Sequence, residues 1–298
     1  MDRLDAVIWL STIGVFAVLA AIFTVLLYAT GGDMLLAVPF SFIMIFIQWY
    51  IGPWIVRFST GAREVSEQEE PGLHEMIGEL AKKAGIQKPK VCIVDNPSPN
   101  AFAFGRTQKS SYVAVHTGLL KMLDKEELKA VLAHEIGHIK HRDVFVITMA
   151  AVLPVLLYWG TIFLLSGRDR RERQNPFAVW IGAIFAQFIG QIAVLWLSRQ
   201  REFFADAFSK KIIGGPLPLG RALVKISYSI GKHGGSENQS MKAFYISEGE
   251  HLSEDVLRSV ARGREEIMEA IRKEKNGGIL EWFSTHPKTV KRLKALFS

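Results

Sequence analysis

The sequence predicts a multi-pass α-helical membrane protein that carries an α+β domain with a small β-sheet and a helical C-terminal part. Three observations predict it. Four apolar runs reach the roughly 20 residues that a bilayer crossing needs. Charged residues collect beside these runs and hardly enter them. Between the second and third runs, short apolar strands, turn signals and amphipathic helices alternate as they do in a water-soluble domain. The 298 residues are 49% apolar with a mean hydropathy of +0.18. The formal net charge of +7 comes with no RNA- or DNA-binding motif. Its basic residues flank the apolar runs, so it reads as membrane-flanking charge, and no nucleic-acid partner is expected.

Taken in order, residues 1–56 are expected to form a transmembrane hairpin. Its arms run from about Val7 to Tyr28 and from Leu35 to Val56, around Thr30-Gly31-Gly32-Asp33. The first arm is too long for a signal-peptide core and has no convincing cleavage site, so it is expected to stay in the mature chain. Residues 57–143 then read as soluble. Gly72 to Gly85 is an amphipathic helix with Leu73, Ile77, Leu80 and Ala84 on one face. Val91–Val94 is a strand, closed by the turn signal Asp95-Asn96-Pro97-Ser98-Pro99-Asn100. Ala101–Phe104 and Tyr112–Val115 are two more strands. Asp124 caps a following helix, with Glu127 three residues on completing a capping box. Residues 144–198 form a second apolar hairpin, from Val144 to Leu165 and from Phe177 to Leu197, and residues 199–298 are polar and helical. Gly231–Ser240 and Asn276-Gly277-Gly278 read as breaks between helices. The single cysteine, Cys92, cannot form an internal disulfide and reads as a buried strand residue.

The helix opened by Asp124 carries His134-Glu135-Ile136-Gly137-His138, an HExxH pattern. Residues four apart stack one turn apart, so two imidazoles can converge on one ion at about 2 Å from each nitrogen. Glu135 can then reach a metal-bound water and act as general base. A catalytic zinc needs a third protein ligand and an open position. Glu202-Phe203-Phe204-Ala205-Asp206 places two carboxylates one helical turn apart, with Glu202 as third ligand. Asp206 is expected to accept the free N–H of a liganding imidazole. One Zn²⁺ per chain follows. His141 lies a further turn along, and ligands at all three histidines would spread over about 10 Å of helix axis. It is expected to be a polar residue at the membrane surface, beside Lys140 and Arg142.

With these residues, the chain resembles the HtpX-type membrane zinc metalloproteases, relatives of the CAAX prenyl proteases. The resemblance covers nearly the whole chain. Asn100-Ala101-Phe102-Ala103-Phe104-Gly105 is similar to the family's edge-strand motif, and His286-Pro287 with Arg292-Leu293 to its C-terminal motif. It implies a zincin-like α+β metalloprotease domain, with Asn100, Ala101, Phe102, Ala103 and Phe104 holding an extended substrate by strand addition. It also implies that Arg292, with His286, stabilises the oxyanion. The expected function is hydrolysis of peptide bonds in membrane or misfolded proteins at the bilayer surface, as quality control. Protein substrates, the lipid bilayer and quality-control partners are the expected partners. Autocleavage, implied by the resemblance alone, would fall in Gly231–Ser240.

His138 precedes the third apolar run by a few residues and Glu202 follows the fourth by a few. The zinc is therefore expected at the membrane face. The charges around Asp124–Glu127 and Lys140–Asp143 oppose an intramembrane site. Arg57, Arg63, Lys140, Arg142, Arg199 and Arg201 on the domain side put that domain in the cytoplasm, in the plasma membrane. The four arginines of 167–173 run against this rule if the second hairpin spans, so a re-entrant second hairpin is the alternative. Two other functions are open: a dedicated processing protease of the CAAX type, and a catalytically silent zinc scaffold. The first is expected to need a larger transmembrane chamber, and the second would have no use for Glu135.

Overall fold

The computed structural model describes residues 37–165, 176–233, 263–273 and 286–298, with Val256, Ser259 and Ser284. The first apolar run and its turn, the arginine loop 167–173, residues 234–240 and Asn276–Gly278 lie outside the described residues. In chain order the elements are α1 (Ala37–Thr60), β1 (Arg63–Glu64), α2 (Pro71–Ala84), β2 (Lys90–Val94), β3 (Ala101–Gly105), β4 (Ser111–His116), α3 (Thr117–Met122) and α4 (Lys125–Lys140). There follow α5 (Asp143–Ala150), α6 (Val152–Leu165), α7 (Pro176–Ile213), α8 (Leu217–His233), α9 (Arg264–Lys273) and α10 (Thr289–Phe297). They divide into two units, residues 1–52 with 148–191, and residues 53–147 with 192–298.

The described part of the first unit is apolar and helical. Among the described residues, two stretches are long and apolar enough to cross a membrane, Asp143–Leu165 and Phe177–Ile213. Pro154 lacks an N–H, and its ring collides with the carbonyl four residues back. The helix accordingly breaks at Ala151, between α5 and α6. A Cβ on Gly190 would lie 2.8 Å from the Cα of Pro154, so glycine is what lets α7 close on α6 there. Phe163, Leu164 and Phe185 are exposed in this unit. Exposed apolar surface of this extent suits hydrocarbon better than water.

The second unit is built on a four-stranded mixed sheet of order β1-β2-β4-β3. β2 pairs parallel with β4, and the other pairs are antiparallel. The three expected strands are present, each a residue or two longer. The two-residue β1, inside an acidic stretch, carried no apolar signal. One face of the sheet meets the main core, where Leu73, Ile77 and Leu80 of α2, Val131 and Leu132 of α4, and Leu293 of α10 are buried. The opposite face packs Phe102, Phe104, Cys92, Val94 and Ala114 together. Burial pushes the Cys92 thiol up to about 11, which keeps it unreactive.

The Asp124 cap forms as expected, and both halves of the box are present. Its Glu127 is buried and is met by Lys225 Nζ of α8 at 2.6 Å. The change of composition at residues 198–199 leaves no mark on the backbone: α7 continues unbroken from Pro176 to Ile213. Nothing in Ser198-Arg199-Gln200-Arg201 opposes a helix.

Candidate metal centre

Helix α4 sets two imidazoles one turn apart and α7 brings a carboxylate to them. The rings of His134 and His138 stand at 88° with centroids 4.7 Å apart. Their Nε2 atoms face each other at 3.0 Å. Glu202 places Oε2 3.6 Å from His134 Nε2 and Oε1 3.5 Å from His138 Nε2. Bonds of about 2.0–2.1 Å at tetrahedral angles put zinc's donor atoms roughly 3.3 Å apart. The three side chains therefore fit a single ion. Glu202 Oε2 is buried and makes no well-formed hydrogen bond, although Arg292 Nη1 lies 3.1 Å away. A cation would satisfy that acceptor.

Close approach of the two helices depends on Gly137. A Cβ there would sit 3.1 Å from Phe208 Cδ1 and 3.3 Å from Ala205 Cα, so a larger residue would wedge α7 away from the histidines. The Ser209 hydroxyl donates to the Ala130 carbonyl at 2.7 Å and pins the same contact.

The buried charges of this site would also suit a dication. Glu135, Glu202 and Asp206 are buried here against one buried guanidinium, Arg292, which leaves two negative charges in excess. Burial alone would push the His134 imidazole down. The Asp206 carboxylate, which accepts from Nδ1, together with the nearby Glu202 carboxylate outweighs burial and raises it to about 10. Glu135 is not among the three converging groups. Burial raises its carboxyl pKa, opposed by the neighbouring histidines, and the Ala103 backbone N–H donates to it.

Behind each imidazole stands a carboxylate held by an arginine. His134 Nδ1 is 2.9 Å from Asp206 Oδ1, and Arg292 grips Asp206 from Nε at 2.8 Å and from Nη2 at 2.6 Å. Arg292 is fully buried, and its flanking carboxylates raise its pKa against the pull of burial. Its guanidinium thus stands beside the Asp206 and Glu202 carboxylates. His138 Nδ1 is 2.6 Å from Asp143 Oδ2, and Arg201 binds Asp143 through Nε at 2.6 Å. Asp143 and Arg201 were legible only as charges flanking an apolar run; their pairing spans 58 positions of sequence.

The remaining expected residues are placed as follows. His286 puts Nδ1 3.4 Å from Glu202 Oε1. Its segment is anchored through Ser284, whose carbonyl accepts from Arg199 Nη1 at 2.9 Å. Asn100 is buried at the foot of β3, and its carbonyl accepts the His116 N–H at 2.9 Å. β3 is one of the two edges of the sheet, and its Ala103 backbone reaches Glu135, whereas Phe102 and Phe104 turn to the far face. His141 caps α4 and sets its ring against Phe208 at 5.5 Å. It is outside the group that could hold an ion.

Comparison with known proteins gives the family of the chain. The profile of peptidase family M48 matches residues 67–298. A "Protease HtpX homolog" of Methanothermobacter thermautotrophicus is 43% identical over 229 residues, covering 75% of this chain and 86% of the relative. A protein of the same description from Aquifex aeolicus is 38% identical over 291 residues, covering 92% of this chain and 88% of the relative. The crystal structure of S. mikatae Ste24p superposes with a TM-score of 0.60 at 17% identity, over 99% of this chain, which spans 65% of Ste24p. At that identity the likeness speaks for the fold alone. The profile covers most of the chain, the two relatives cover 75% and 92% of it, and the chain belongs to peptidase family M48.

Proposed function

We propose that this chain is a membrane-bound zinc endopeptidase that hydrolyses peptide bonds of membrane or misfolded proteins at the bilayer surface, as quality control. The observation that carries the reading is the convergence of His134, His138 and Glu202 within 4.8 Å, with the buried Glu135 carboxylate beside them. The relatives described as proteases support it. Zinc held by His134, His138 and Glu202 would polarise a carbonyl and acidify water. Glu135 accepts a proton from the attacking water and passes it to the leaving amine. The outward edge of β3, at Ala101 and Ala103, takes the substrate as an added strand and aligns it with Glu135. Arg292 holds Asp206 and Glu202 in place, and His286, beside Glu202, is the nearer candidate for the substrate oxyanion.

Membrane placement follows from the chain's own anchors. Trp54 and Phe58 are exposed and stacked at 5.7 Å, next to Arg57, in the arrangement of an interfacial aromatic belt. With the basic flanks named above, this supports a multi-pass plasma-membrane protein whose catalytic domain faces the cytoplasm.

The purified full chain in detergent is expected to cleave an unfolded protein substrate. A zinc chelator should abolish cleavage, and added Zn²⁺ should restore it. Cleavage that persists after metal analysis shows the zinc gone would refute the reading.

A further inference from the structure

We infer that Asp143, clamped by Arg201, is the positioning residue for the zinc ligand His138. The inference rests on the zinc reading above. It assigns a role to the turn where the HExxH helix passes into the apolar hairpin.

The observations are geometric. His138 Nδ1 and Asp143 Oδ2 are 2.6 Å apart, a charge-assisted distance. With Nδ1 engaged, Nε2 is the nitrogen that faces His134 and Glu202. Asp143 is buried, although it opens an apolar helix and sits among charged neighbours. A carboxylate there needs a partner. Arg201 supplies it by binding Oδ1 with Nε and Nη2, which leaves Oδ2 for the imidazole. The same Nη2 donates to the His141 carbonyl at 3.1 Å, the cap of α4. Arg142 between them holds a φ of 56°, uncommon for a residue with a side chain. The turn is thus bent so that Asp143 points back at His138.

The arrangement parallels the one behind His134. There Asp206 takes Nδ1 and Arg292 takes Asp206. Each imidazole has its own carboxylate and each carboxylate its own arginine. Such partners fix the tautomer and ring orientation of a metal-bound histidine, and their loss costs about 10–100-fold in metal affinity. Arg201 also immediately precedes Glu202 on α7. The clamp therefore ties the chain that carries one ligand to the residue that orients another.

The test uses the full chain in detergent. Asp143→Asn and Arg201→Gln are purified, stripped of metal, and compared with wild type in two measurements. One is the Zn²⁺ dissociation constant by chelator competition, with the visible absorption spectrum of the Co²⁺ form. The other is the thermal unfolding midpoint of the metal-free proteins. The expected result is a 10–100-fold weaker zinc affinity and an altered Co²⁺ spectrum for Asp143→Asn. A smaller loss is expected for Arg201→Gln, which keeps the carboxylate but frees it. The metal-free midpoints should fall in both variants, because each strands one partner of a buried ion pair, so zinc affinity and Co²⁺ spectrum are the deciding readouts. Zinc affinity and Co²⁺ spectrum unchanged in both variants would overturn the assignment, whatever their midpoints, because Asp143 would then only brace the turn. If Asp143→Asn fails to fold, Arg201→Gln decides by the same readouts. Wild type that binds no zinc at this site would fail the zinc reading itself, a distinct outcome.

Discussion

Glu135→Gln is expected to keep its zinc and lose peptide hydrolysis by about 10²–10⁴-fold in kcat. Glutamine preserves the shape of the side chain, and its amide oxygen can still accept the Ala103 N–H. It cannot take a proton from water at pH 7, so the base is lost and little else. The metal stays because Glu135 is not one of the three converging ligands. A second consequence separates this from general damage. Burial raises the Glu135 pKa, so folding favours its neutral form, and the ionised form destabilises the native state near neutrality. The neutral amide removes that penalty. The metal-free variant should therefore unfold at the same temperature as wild type or higher. Unfolding curves with matched zinc analysis check this, and a clearly lower midpoint would contradict the assigned role.

Arg292→Met is expected to have the largest effect on stability. The guanidinium is fully buried between Asp206 and Glu202. Removing one partner of a buried ion pair costs about 3–5 kcal/mol, because the surviving charges are left unpaired in a poorly solvated site. Here two carboxylates would be left. Arg292→Lys should lie between, since an ammonium cannot bind Asp206 with two donors and also reach Glu202. Combining Arg292→Met with Asp206→Asn removes one stranded charge and should recover part of the loss, a coupling that a double-mutant cycle measures. Strictly additive losses would mean that the two residues do not act together.

Much of the site could be read locally. The HExxH spacing, the Asp124 cap with Glu127, and the two carboxylates at Glu202 and Asp206 are short-range patterns on helices. The buried face of α2 was also visible as a period, and its Leu73, Ile77 and Leu80 are in the core. What the sequence hid is long-range. Glu127 looked like half of a helix cap, and Lys225, 98 residues away, also holds it. Asp143 and Arg201 looked like solvated charges at the ends of apolar runs. Only the fold brings them together and buries Asp143. Arg292 was legible as part of a motif, but its side chain is turned toward Asp206 and Glu202, a direction no spacing rule could give. At Ser198–Arg201 the composition changes while helix propensity does not, so a boundary drawn on composition falls inside α7.

Two imidazoles and one carboxylate holding a zinc are the heart of the proposed site. X-ray absorption at the zinc edge of the purified full chain measures that ligand set directly. The account predicts one zinc per chain with two imidazoles, one from His134 and one from His138, and otherwise oxygen neighbours, all near 2.0–2.2 Å. The imidazole signal should fall by half in His138→Ala. Three imidazoles in wild type, a sulfur neighbour near 2.3 Å, or an unchanged spectrum in His138→Ala would contradict it.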